Sequence, residues 1–368
     1  MKFALLFLFS FALQLVAPQF NFQTRELELK SLLDSVRAQH KDSDKKKWNK
    51  EFIDLLRKTL NEPTIFNQSF TAIKTLGDIA SPDNKLRIIN WNVEQEDGTQ
   101  QYNAFVLYQS EKNDEHKVFE LEDKSFMLPG KPEETLESNM WYGALYYNII
   151  PVEKSNKTYY TVLGWDGATR RSNIKLIDVF YVSGNKLKIG FPLFKLVDGS
   201  TVRRMFFEHS EKAYMSLKYE SDYKRIIFDH LMPENPNMEG IYDYYIPDLS
   251  YDAFVFKDGK WILHEDVIGI NKKQNLVNMN TIDPKTGKVL SKKVESSWES
   301  PSDGSSSGTH VAVMPDMESK NTTELDKQKA AKDKENMTAV ELYEQKKNHK
   351  GEKEVGSSFN YKKKKSKK

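Results

Sequence analysis

The sequence predicts a mainly β protein: an N-terminal helical hairpin, then an antiparallel β meander, then a disordered C-terminal tail. Three observations carry that expectation. Two apolar patterns of helical period stand near the start, roughly a dozen short runs of period two follow them, and near Asp283-Pro284 the composition changes from an acidic, aromatic-rich body to a Lys-rich stretch poor in aromatics.

The chain opens on Lys2 and an apolar run from Phe3 to Ala17, which reads as a secretory signal peptide over residues 1–19. The run is shorter than the roughly twenty apolar residues that cross a bilayer, so cleavage is expected rather than a lasting transmembrane anchor. The composition includes 0 Cys in 368 residues. That excludes a disulfide framework, a cysteine-ligated zinc or iron–sulfur centre, and a lipidated-cysteine anchor.

Residues 20–80 read as the helical region. Leu27, Leu29, Leu32, Leu33 and Val36 recur at helical spacing between Thr24 and Gln39. After the polar break at His40 to Asp44, a second stripe of Trp48, Phe52, Ile53, Leu55, Leu56 and Leu60 runs until Glu62-Pro63 ends it.

From residue 81 to 284 the period is two. Lys85–Trp91 and Tyr102–Tyr108 flank Glu96-Asp97-Gly98, a hairpin signal. Strands are expected at 141–150, 158–163, 174–182, 186–191, 202–208, 213–219, 225–230, 241–246, 252–256 and 260–264. Ala213, Met215, Leu217 and Tyr219 alternate with polar neighbours, as in a half-buried strand. Ile174 to Val182 is apolar on both faces, which places it mid-sheet with cover on each side. Connections of a few residues are too short for helical crossovers, so the body is an antiparallel sandwich, open barrel or propeller-like array. Ser81-Pro82-Asp83 resembles a blade-opening turn but occurs once, as an ordinary turn also would.

The net charge of +2 hides a division. From Lys285 onward 19 Lys stand against 13 Asp and Glu, while residues 1–284 hold 36 basic and 40 acidic groups. Of the 44 aromatic residues, 40 precede Lys285. The segment 285–368, Lys-rich and poor in apolar residues, cannot bury enough surface to offset chain entropy and is expected to be disordered.

At Ser81-Pro82-Asp83, Arg87-Ile88-Ile89-Asn90-Trp91, Leu163-Gly164-Trp165-Asp166-Gly167, Ile177-Asp178-Val179 and Ile227-Phe228-Asp229-His230-Leu231, the chain resembles a family of uncharacterised exported proteins of Bacteroidota. The resemblance covers about Arg25 to Val267. It implies a Gram-negative envelope, hence the periplasm or the cell surface, and supplies no functional residues.

The most suggestive cluster is Trp165, Asp166, Arg170 and Arg171. A tight turn at Gly164-Trp165-Asp166-Gly167 would present an indole, a carboxylate and two guanidinium groups to a sugar or an anion. The same residues suit a hairpin loop in which Trp165 packs beneath and Asp166 caps local amides, and that reading is the favoured one. Glu208-His209 and Asp229-His230 suggest a metal or acid–base site, yet neighbours along a strand point to opposite faces, so each pair lends one side chain at most. The stretches Trp141-Tyr142 with Tyr146-Tyr147, and Tyr242 with Tyr244-Tyr245, suit either a carbohydrate or peptide groove or cross-strand pairs. No zinc-binding helix motif, phosphate loop, nucleophile elbow or dinucleotide fingerprint occurs, so no cofactor is expected.

These readings converge on an exported, non-enzymatic binding or interaction module whose partner is another envelope component, protein or glycan. A periplasmic hydrolase-like enzyme or a carbohydrate-binding protein is the alternative. The Lys-rich tail suits weak contact with polyanions such as acidic lipid headgroups, and nucleic acid is a poor partner for an exported chain with an acidic body.

Overall fold

The computed structural model describes residues 20–110, 115–128 and 130–268, the backbone of two strands at 276–282 and 289–295, and Val340 and Tyr343. The expected leader, and the expected tail apart from 289–295, Val340 and Tyr343, lie outside the described residues.

Two helices open the fold, α1 (Phe22–Ala38) and α2 (Asp42–Leu60). The Asn21 side chain accepts a hydrogen bond from the Thr24 amide at 3.0 Å, capping α1. Leu29, Leu33 and Val36 meet Phe52, Leu56 and Leu60, all buried. Leu27, expected on this face, is exposed instead. At about 100° per residue it lies half a turn away from Val36.

Four antiparallel strands in chain order form the first sheet: β1 (Gly77–Ala80), β2 (Leu86–Glu94), β3 (Gln100–Gln109) and β4 (His116–Glu122). Ser81-Pro82-Asp83 is the hairpin turn between β1 and β2. The Leu86 amide donates to Ser81 Oγ at 2.9 Å, and Asn84 takes the left-handed conformation at φ 57°. Gly98, at φ 86°, turns β2 into β3 where the sequence places a hairpin.

Next come β5 (Leu136–Glu137), β6 (Leu145–Lys154), β7 (Lys157–Asp166), β8 (Ser172–Ser183) and β9 (Lys186–Ile189), arranged β5-β9-β8-β7-β6. The last group is β10 (Phe194–Lys195), β11 (Thr201–Val202), β12 (Met205–Ser210), β13 (Leu217–Glu220), β14 (Arg225–Pro233), β15 (Tyr245–Lys257) and β16 (Lys260–His264). Of these, β12 pairs with β8 in the second sheet, and the rest form a third sheet, β11-β10-β16-β15-β14-β13. A further hairpin joins β17 (Leu276–Ile282) to β18 (Val289–Glu295) across the expected boundary at residue 284.

Three apolar cores lie between four layers. The helices pack on the outer face of the first sheet through Ile89, Trp91, Val93, Phe105 and Leu107. The opposite face of the same strands, Leu86, Ile88, Tyr102, Ala104 and Val106, packs on Tyr160, Val162, Leu176 and Phe180 of the second sheet. The reverse side of that sheet, with Leu163, Ile177 and Val179, packs on Phe228, Phe254 and Trp261 of the third. Strands covered on both faces must be apolar on both. That is why Ile174 to Val182 reads as continuous, and β8 does sit in mid-sheet with a core on each side.

Asn90 stitches the first two sheets together. Its Oδ1 accepts from the Tyr146 amide at 2.7 Å, and its Nδ2 donates to the Tyr146 and Gly77 carbonyls at 3.3 and 3.4 Å. The β6–β7 register is irregular between Tyr146 and Asn148, so a side-chain amide serves the Tyr146 peptide. A Cβ at Gly77 would lie 2.6 Å from Asn90 Nδ2, which leaves room there for glycine alone.

Three expectations change. One ladder is parallel, β10 with β16, since β16 reaches β10 only after β11 to β15 have intervened and those strands supply the crossover. In 213–219 only Leu217 onward is strand, although Met215 is buried. In 241–246 a 3-10 turn at Tyr242–Tyr244 precedes β15.

Candidate functional site

Trp165 and Asp166 are the last two residues of strand β7, paired with β6 and β8, and not a turn. The Trp165 side chain is 1% exposed, inside the core between the first two sheets. Gly164 serves packing: a Cβ there would lie 3.0 Å from the Tyr146 ring. Asp166 accepts hydrogen bonds from Tyr102 Oη and Tyr142 Oη, both at 2.8 Å, and from the Ala168 amide at 2.9 Å. Tyr102 Oη in turn accepts from the Gly167 amide at 2.7 Å. Arg170 donates to the carbonyls of Asp97 and Glu96 at 2.7 and 3.3 Å, clamping the turn at Gly98. Arg171 is exposed and pairs with Asp243 at 3.0 Å. The four candidates therefore do not share one open site. Two lie inside the fold, and two reach to different loops.

Burial pushes the Asp166 carboxyl up from its ordinary value of 3.8, against the pull of its two tyrosine hydrogen bonds. Burial and the Asp166 charge likewise push Tyr102 and Tyr142 up. A carboxyl raised in the folded state binds its proton more tightly there than in the unfolded chain. Its contribution is therefore most favourable below 3.8 and declines as pH rises through the folded value. Asp166→Asn is expected to flatten this decline in urea midpoints measured from pH 3.5 upward. Asp166→Ala, which orphans two buried hydroxyls, is expected to cost about 2 kcal/mol or more. Parallel midpoint curves for wild type and Asp166→Asn would remove Asp166 from that role.

The two acid–histidine pairs occupy different sheets. Glu208 on β12 accepts from Ser172 Oγ at 2.9 Å and faces Lys131 at 3.6 Å. Its neighbour His209 is buried, with Nδ1 2.9 Å from the Ser210 carbonyl oxygen. Asp229 on β14 accepts from the Ser216 amide at 2.8 Å, while His230 Nδ1 lies 2.9 Å from Asp252. The Asp252 carboxylate raises the His230 pKa above 6.5. Among the described residues no group of three or more His, Asp and Glu side chains is placed to hold a metal ion.

The aromatic stretches separate by burial. Trp141, Tyr142 and Tyr146 are buried, with Trp141 Nε1 donating to Tyr146 Oη at 2.9 Å. The turn of the β14–β15 hairpin does the opposite. Met232, Ile241, Tyr242 and Tyr244 are 40–47% exposed and Leu249 is 90% exposed. Leu249 also adopts φ 74°, a left-handed conformation that costs a leucine roughly 1–2 kcal/mol. Lys131 Nζ lies 4.4 Å from the centre of the Tyr242 ring, and the Arg171–Asp243 pair borders it. The turn is held by the Glu234 amide donating to the Tyr244 carbonyl at 2.8 Å and by Gly240 N donating to Tyr245 Oη at 3.1 Å.

This exposed aromatic end, flanked by Lys131 and by the Arg171–Asp243 pair, is the candidate functional surface. Of the residues singled out in the sequence, it recruits Arg171 and the Tyr242-Tyr244-Tyr245 stretch. Met232 and Leu249 carry no local signal, because their exposure depends on which layers cover the hairpin.

Comparisons with protein families, with curated proteins and with solved structures find no match to this chain. Among the described residues no helix is long and apolar enough to cross a membrane.

Proposed function

We propose that this protein is an exported envelope protein that acts as a non-enzymatic binding module. It engages another envelope component, protein or glycan, through the aromatic end of the β14–β15 hairpin. The observation that carries the reading is the set Met232, Ile241, Tyr242, Tyr244 and Leu249, all solvent-exposed within one hairpin. Exposed apolar groups gathered in one place mark interaction surfaces, and Tyr and Arg are enriched where proteins bind. Export rests on the leader-like residues 1–17 and on the resemblance to exported Bacteroidota proteins.

The carboxylates singled out for chemistry have structural employment: Asp166 with two tyrosines, Glu208 with Ser172 and Lys131, and Asp229 with the Ser216 amide. This favours binding over the hydrolase reading.

The test uses full-length protein as bait in envelope extract, intact and protease-treated, against Tyr242→Ala/Tyr244→Ala. Recovery of the bound component is expected to fall at least about tenfold, the loss of a modest hot spot. Unfolding free energy is expected to stay within about 0.5 kcal/mol, as for surface substitutions. Survival of the signal in protease-treated extract assigns the partner as glycan, and its loss assigns protein. Equal recovery by wild type and variant sinks the proposal.

A further inference from the structure

Val340 brings a distant part of the chain back against the body. Val340 is helical and 4% exposed, packed into the core between the first and second sheets. It lines a cavity of about 260 Å³ together with Phe70, Ile73, Leu76, Leu145 and Tyr146. Phe70, Ile73 and Leu76 belong to the core under the helices, whereas Leu145 and Tyr146 belong to the next core. Val340 therefore sits on the seam between the helix-covered sheet and the rest of the body.

Tyr343 takes the second position. It is helical and three residues on, so it shares a helix face with Val340. Its ring lies 4.9 Å from the Arg37 guanidinium at the end of α1. Arg37 donates from one terminal nitrogen to the Asn92 carbonyl and from the other to Asn92 Oδ1 at 3.4 Å, yet its buried Nε has no hydrogen-bond partner among the described residues. Burial lowers the Arg37 pKa and raises that of Tyr343, so the two groups seal each other from water. A guanidinium left short of one bond and roofed by an aromatic ring is a seat made for that ring.

We infer that the segment carrying Val340 and Tyr343 is an intrachain ligand of this groove, a latch across the seam between the helical hairpin and the β body. The occupant is this chain's own segment, recognised by one aliphatic and one aromatic side chain at i and i+3. Recognition is apolar and cation–π in kind, so it differs from a general attraction between the Lys-rich tail and the acidic body. This inference rests on a different face from the hairpin surface and stands independently of it.

Full-length wild type and full-length Val340→Asp/Tyr343→Ala are each titrated with a labelled peptide of residues 334–349. The double variant, its groove vacated, is expected to bind the peptide at least about tenfold more tightly than wild type, whose tethered segment competes at high effective concentration. That affinity is expected to hold on raising salt, where an attraction between exposed charges would be screened. Adding Arg37→Met to the double variant is expected to weaken the peptide at least about tenfold. Hydrogen exchange at residues 70–79 and 145–147 is expected to speed up in the double variant. A second measurement needs no emptied groove: the Tyr343 and Thr75 side chains meet, so Thr75→Cys/Tyr343→Cys, the sole thiols in a cysteine-free chain, are expected to be bridged within one molecule by a short bis-maleimide. Equal peptide affinity for both chains with unchanged exchange, binding abolished by salt, or no intramolecular bridge would each overturn the latch.

Discussion

Replacing Arg204 by methionine is expected to lower the unfolding free energy by about 3–5 kcal/mol, the cost of stranding a buried charge by removing its partner. The Arg204 and Asp178 side chains are each 2% exposed, with Arg204 Nε donating to Asp178 Oδ2 at 3.0 Å. The terminal nitrogens reach the carbonyls of Pro132 and Glu134 at 2.6 and 2.9 Å and that of Ile189 at 3.1 Å. One side chain thus ties the segment leading into β5 to the end of β9 and to the middle of β8. Gly190, at φ 93°, exists for this contact, since a Cβ there would collide with the guanidinium. Burial pushes the Asp178 carboxyl up while Arg204 and the Val179 amide pull it down, so removing the arginine leaves the amide alone to oppose burial. The loss should accordingly be larger at pH 7 than at pH 4.5, where protonation relieves the charge. Urea titrations at both values check this, and Arg204→Met/Asp178→Asn is expected to recover part of the loss. A loss below about 1 kcal/mol in the single variant would falsify the assignment.

Trp91→Ala is expected to cost about 3–5 kcal/mol, and its damage should be localised. Trp91 is fully buried, edge-on to Phe52 of α2 at 4.9 Å and stacked on Phe105 of β3 at 6.2 Å. Its indole Nε1 donates to Asn49 Oδ1 at 2.8 Å, so alanine also removes a buried hydrogen bond between sheet and helix. The first core should loosen before the other two. Hydrogen exchange is expected to rise first in α1 and α2, with Trp91→Phe milder because it keeps an aromatic ring there and forfeits the indole hydrogen bond and part of the ring volume. Uniform acceleration across all three sheets would show that the hairpin is not a separable layer.

Much of the local structure was readable before the fold. The stripes through Leu29 to Val36 and Phe52 to Leu60 mark two helices because burial on one side imposes the helical period. Gly98 and the Ser81-Pro82-Asp83-Asn84 run mark turns because their backbones need that chemistry. Short or polar strands such as β1, β4 and β10 escape notice, since their ladders come from partners rather than from an alternating pattern. Gly164-Trp165-Asp166-Gly167 misleads for a related reason. Glycine reads as a turn, but at Gly164 it clears space for the Tyr146 ring. The pairing of Val340 with Tyr343 had a faint signal, an aliphatic and an aromatic residue at helical spacing in a tail holding only four aromatics.

The sequence by itself determined the two helices, most of the longer strands, the turns at Ser81-Pro82-Asp83 and Gly98, the lack of disulfides and the division between an acidic, aromatic-rich body and a Lys-rich end. These follow from forces acting over a few residues, or from composition alone. Only the tertiary structure decided that Asp166 is buried against Tyr102 and Tyr142, that Tyr146 is core while Tyr242 is surface, and that Val340 sits on the seam of two cores. Each of these depends on which layer covers a side chain, and here the covering layers come from segments far apart along the chain.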